Sequence, residues 1–138
     1  MGSIGVDMES AFQYKKPYLQ KVDYLINKEF DPKGKSSVEI QVNMSVELNK
    51  DSELSEATVA LHVEIGEKDE RSPYYIAVTE EARFKWDSGL TEEQIDRLLN
   101  QNAPTLLLSY IRPLVSQLTA SSPYGAYDIP FMNFTERR

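Results

Sequence analysis

Between Val38 and Leu48 every second residue is apolar: Val38, Ile40, Val42, Met44, Val46 and Leu48 alternate with Glu39, Gln41, Asn43, Ser45 and Glu47. Side chains on a strand point to opposite faces in turn, so this run reads as a β-strand with one face buried and one wet. Three further segments behave similarly. Tyr18, Val22, Tyr24, Ile26 and Phe30 share a parity, interrupted by Gln20 and Lys28, with Lys21, Asp23 and Asn27 opposite. Val59, Leu61, Val63 and Ile65 oppose Thr58, His62 and Glu64. From Tyr74 to Trp86, one parity carries Tyr74, Ile76, Val78, Ala82, Phe84 and Trp86. Asp31-Pro32-Lys33-Gly34 reads as a turn, Asn49-Lys50-Asp51-Ser52 as a polar loop, and Gly66 to Arg71 as a charged turn. Connections this short predict a four-stranded antiparallel meander.

The period then changes. Thr91-Glu92-Glu93-Gln94 fits a capping box, and Ile95, Leu98 and Leu99 put an apolar stripe on a short helix. Asn102 ends that helix or caps the next. Pro104 suits a first helical turn, where its missing N–H costs nothing. Leu107, Ile111, Leu114 and Leu118 keep helical spacing, and Leu108 and Val115 widen the stripe. Pro113 lies inside this helix, removes the bond to the Ser109 carbonyl and predicts a kink. The fold class is therefore α+β: a four-stranded antiparallel meander followed by two helices. At 138 residues one domain is expected, over 17–134, after a loose lead-in at 1–16 and before a tail at 135–138.

Net charge is −7, which disfavours nucleic acid and anionic membranes and favours basic partners. No cysteine is present, which removes disulfides, thiol nucleophiles and thiolate metal sites. No apolar run approaches the roughly 18 residues of a membrane span. The start shows no signal-peptide pattern, and Val6 stands where a myristoylation motif wants Ser or Thr. A cytoplasmic protein is expected. His62 is the only histidine, so no second imidazole completes a metal site with it. Glu80 and Glu81 are adjacent on a strand and point apart, so they cannot work as a pair. Glu92 and Glu93 are explained by the helix dipole. Neither a Gly-rich phosphate loop nor a nucleophile elbow occurs. No catalytic residue, metal or cofactor is expected.

Three local motifs, in this order, resemble the SecB family of export chaperones. Phe84-Lys85-Trp86 stands where the family's fourth strand ends in an aromatic-x-apolar step. Ala103-Pro104, five residues, then Tyr110-Ile111-Arg112 looks like the family's Cys/Ala-Pro-(x)5-Tyr-Ala-Arg. Ile129-Pro130-Phe131-Met132-Asn133-Phe134 is similar to its Leu-Pro-Pro-Val/Ile-Asn/Asp-Phe, with Phe131 in place of the second proline. The family continues further past this motif than the four residues seen here.

The resemblance implies an ATP-independent holdase that binds unfolded polypeptides in apolar grooves, assembled as a dimer or tetramer with its long helices sandwiched between dimers. It also implies a SecA translocation motor as partner, docked in the family through acidic positions on the exposed sheet and the C-terminal region. A dedicated adaptor for one client or an antitoxin is the alternative. Phe84, Trp86, Tyr124, Tyr127, Phe131, Met132 and Phe134 are the candidate client-binding residues, because aromatic and Met side chains offer large adaptable contacts. Packing of the same residues into the core is the competing reading. Leu107, Tyr110, Ile111, Leu114 and Leu118 are the candidate oligomer interface, since one sheet face cannot cover so wide an apolar helix.

Overall fold

The computed structural model describes residues 11–33, 38–130, 132 and 134; Phe131 and Asn133 of the last motif lie outside them. The sheet begins inside the expected lead-in. Phe12–Tyr14 is a strand (β1), and after the bend at Lys15, Lys16 and Pro17 the chain resumes as β2, Tyr18–Ile26. β3 is Val42–Asp51, β4 Glu56–Gly66 and β5 Tyr74–Trp86. The strand count rises to five because the expected lead-in itself contributes β1, set off from β2 by the bend at Pro17.

β3, β4 and β5 pair antiparallel in succession, as a meander requires. β1 and β2 depart from it: both pair antiparallel with β5, giving the spatial order β1/β2, β5, β4, β3. This is a Greek key. The connection through residues 27–41 is long enough to carry the chain across the sheet, and loop closure of that length adds little entropy cost. Phe30, expected at the end of the first strand, instead lies buried in this connection, its amide donating to the Asn27 carbonyl at 3.1 Å.

A β-bulge changes which side chains share a face of β2. Tyr18 pairs with Glu81 and Leu19 with Glu80, but the next pair is Lys21 with Thr79, which leaves Gln20 unpaired. Tyr18 therefore falls on the face opposite Val22, Tyr24 and Ile26, and Leu19 joins them instead.

The two expected helices are one continuous helical run. α1 (Glu92–Arg97) passes through a π-helical stretch at Leu98–Asn102 into α2 (Ala103–Ala120). Asn102 is itself helical and makes no side-chain cap. The expected capping box is present: the Thr91 hydroxyl accepts from the Gln94 amide at 3.1 Å, and Gln94 Oε1 accepts from the Thr91 amide at 2.9 Å. Lys50 at the end of β3 holds the start of the run, with Nζ 3.1 Å from Glu92 and 3.2 Å from Asp96. The helix continues through Pro113, which is exposed and offers no N–H to the Ser109 carbonyl.

α2 lies across β4 and β5. Ala57, Val59, Leu61, Val63 and Ile65 of β4 and Tyr74, Ile76, Val78, Ala82, Phe84 and Trp86 of β5 meet Leu99, Leu107, Leu108, Ile111 and Val115 in one buried cluster. Ile129 and Phe134 close it from the C-terminal segment. Val42, Met44, Val46 and Leu48 line the β3 side, each half-buried, while their alternating neighbours are exposed.

Candidate functional site

The helix covers the middle of the sheet and leaves one margin open. On the helix-facing side of β1 and β2 stand Phe12, Tyr14, Leu19, Val22, Tyr24 and Ile26. Tyr14, Leu19, Val22 and Tyr24 are each between 37% and 50% exposed. Phe12 stacks on Phe84 with centroids 5.5 Å apart, and Tyr14 lies 6.0 Å from the same ring. The result is an apolar strip, rigid because β5 backs it along its length. Along the same strand, the outer backbone edge has no neighbour among the described residues. Edges of this kind accept extended chains.

Glu80 borders the strip. It sits across from Leu19 on one side and Leu61 on the other, on the helix-facing side of β5. Only 6% of it is exposed, and this burial raises its carboxyl above the ordinary carboxylate range. The adjacent Glu81 faces away, accepting from Tyr18 and Gln20 at 2.7 Å each. The opposed directions of this pair follow from strand geometry.

The C-terminal segment is strapped along α2. Arg112 Nε donates to the Ile129 carbonyl at 3.0 Å, and the Tyr127 amide donates to Thr119 Oγ1 at 2.7 Å. This strap presents Tyr124 and Met132 outward, with Tyr124 edge-on to Phe30 at 5.6 Å. Tyr127 is half-buried, and burial raises its phenol.

The seven candidate client residues thus fall into different environments. Phe84, Trp86 and Phe134 are buried in the chain's own core, and Tyr127 is partly so. Tyr124 and Met132 are exposed, and Phe131 lies outside the described residues. Of the candidate interface, Leu107 and Ile111 face inward and are fully buried, Leu114 and Leu118 are half-buried, and Tyr110 is exposed. Sequence reasoning did not single out Tyr14, Leu19 and Val22 as binding residues. Leu19 had no signal to find it by, since the bulge inverts its parity. Tyr14 lay in what reads as a lead-in.

His62 bridges three strands on the far face, Nδ1 2.8 Å from Thr79 Oγ1 and Nε2 3.2 Å from Glu47. Among the described residues no group of three His, Cys, Asp or Glu side chains is placed to hold a metal. No helix among them is long and apolar enough to cross a membrane.

A profile described as preprotein translocase subunit SecB matches residues 9–136. The chain belongs to the SecB family. Its SecB relatives include the protein-export protein SecB of Alcanivorax borkumensis, 23% identical over 135 residues, which cover 93% of this chain and 83% of the relative. In structure it is similar to a Mycobacterium tuberculosis SecB-like chaperone solved with a ChAD peptide from the HigA1 antitoxin. The TM-score is 0.70 at 16% identity, over 94% of this chain and 97% of that one. That similarity extends to the SecB arrangement of an antiparallel sheet carrying a C-terminal helix.

Proposed function

We propose that this protein is a SecB-type chaperone that holds non-native polypeptide segments against the open apolar strip of its edge strand. The observation that carries the reading is the strip itself: Tyr14, Leu19, Val22 and Tyr24 lie side by side on a rigid support and are left uncovered by the helix. Each such side chain offers on the order of 1.5–3 kcal/mol when fully buried. Several weak contacts along one chain then combine as avidity. Tyr124 and Met132 extend the surface at the C-terminal strap. Family membership supports the reading, as do a relative named for protein export and a structural neighbour bound to a peptide. None of this chemistry is covalent, so the function requires no cofactor. Tyr110, Leu114 and Leu118 supply an outward helix surface suited to self-association.

The test is suppression of aggregation of two unrelated, chemically unfolded proteins, with oligomer mass measured on the same sample. Protection of both at near-stoichiometric amounts is expected, with loss of protection in Leu19→Ser/Val22→Ser. Protection of neither overturns the general holdase. Saturable binding of one antitoxin-type peptide alone would then define an adaptor, the reading suggested by the complex in which the mycobacterial relative was solved.

A further inference from the structure

On the far face of the sheet, at the corner where β1 meets β5, cations outnumber anions. Lys85 on β5 lies directly across from Gln13 on one side and from Glu56 on the other. The Lys15 amide donates to the Arg83 carbonyl at 3.2 Å, which fixes Lys15 beside Arg83. Arg83 reaches Glu56 at 3.2 Å. Lys15 and Lys85 have no ionic partner among the described residues. Together these side chains line an open depression of about 260 Å³. Three cations therefore face one carboxylate, in a chain whose net charge is −7. Like charges held together on a rigid sheet repel, and an incoming anion relieves that repulsion.

We propose that this corner binds an acidic stretch of a polypeptide partner. The inference rests on the polypeptide-binding reading in one respect, that the anion is carried on a peptide. Tyr14 ends the apolar strip and Lys15 enters the basic corner, and the two are consecutive residues. An extended segment that wraps round the open edge here passes from apolar contacts on one face to cationic ones on the other within a few residues. The partner class that fits is an apolar or aromatic run followed by Asp and Glu. This is the reverse of what net charge alone suggests, which is a preference for basic clients. A polynucleotide fits less well, because its regular phosphate charge requires an extended basic track, and beyond this corner the same face carries Glu81, Asp23 and Glu64.

The experiment uses fluorescent peptides that share one apolar core and differ in a flank that is acidic, neutral or basic. Binding is read by anisotropy at low and high salt. The acidic-flanked peptide is expected to bind about tenfold tighter than the neutral one at low salt. That advantage should vanish at high salt and in Lys15→Glu/Lys85→Glu, which keeps its affinity for the neutral peptide. Equal binding of acidic and neutral peptides overturns the inference and leaves the apolar strip standing. So does an acidic preference that survives the double substitution. If the neutral peptide fails to bind, the apolar-strip reading falls, whereas lysine-dependent binding of the acidic peptide still upholds the corner. Lysine-dependent capture of a single-stranded oligonucleotide, with no acidic-peptide preference, overturns the assignment of partner.

Discussion

Thr119 and Tyr127 are joined by a 2.7 Å hydrogen bond in which the Tyr127 amide donates to the threonine hydroxyl. The same hydroxyl donates to the Val115 carbonyl at 2.8 Å. One fully buried oxygen thus ties the end of the long helix to the strap that follows it. Thr119→Val keeps the shape and removes both bonds, leaving the Tyr127 amide without its acceptor. The expected cost is about 1–3 kcal/mol, together with faster hydrogen exchange at Tyr127. Thr119→Ser should retain most of the protection. Unchanged exchange in the valine variant would show that the strap is held by other contacts.

Gly66 closes β4 at φ +76°, and a Cβ placed there would lie 2.1 Å from the Tyr74 carbonyl oxygen. Both the conformation and the clash involve backbone, which cannot rotate away. Gly66→Ala is expected to destabilise by more than about 2 kcal/mol, read as a fall in the denaturant midpoint. The substitution leaves the apolar strip untouched, so the folded fraction should still hold client.

Glu80 gives stability a pH dependence of defined sign. Burial raises its folded-state pKa above the unfolded value. The folded protein therefore binds this proton more tightly, and the stability the group contributes is fully present below the ordinary glutamate pKa. It is lost as pH rises through the raised value. Glu80→Gln should match the wild type in acid and exceed its melting temperature at neutral pH. A difference independent of pH would mean that burial of this carboxyl is not what sets its protonation.

Trp86 and Met132 separate loss of fold from loss of contact. Trp86 is buried in the core, so Trp86→Ala should cost about 3–5 kcal/mol and reduce holding through unfolding. Met132 is exposed, and Met132→Ala should shift stability by less than about 0.5 kcal/mol while weakening client retention. Paired melting curves and aggregation assays decide this. A Trp86→Ala protein that melts normally yet fails to hold client would return Trp86 to the client surface.

Much of the fold was legible. The alternation from Val42 to Leu48 appears as alternately half-buried and exposed residues, and the Thr91–Gln94 capping box forms as its spacing requires. Both depend only on neighbours in sequence. The placement of β2 beside β5 does not, because it is set by a long connection and by which edge of β5 remains free. The fusion of the two helices was hidden as well. Asn102 and Pro104 look like punctuation, yet a π-helical stretch absorbs the change of phase without breaking the run. Glu80 was recognised as pointing away from Glu81, but its burial depends on Leu19 and Leu61, which approach it from other strands. The aromatic motifs did not separate the buried Phe84 from the exposed Met132. Periodicity reports which residues share a face and is silent on what covers that face.

Gln20 has no partner on β5. Deleting Gln20 would let the ladder run unbroken and leave the other pairs as they stand, with Leu19 across from Glu80 and Lys21 across from Thr79. Tyr18 would stay on the far face and Leu19 on the helix side, so the apolar strip survives the loss of this residue. The bulge is therefore a spare position, at which the edge strand can shorten by one codon without exchanging the faces of the side chains on either side.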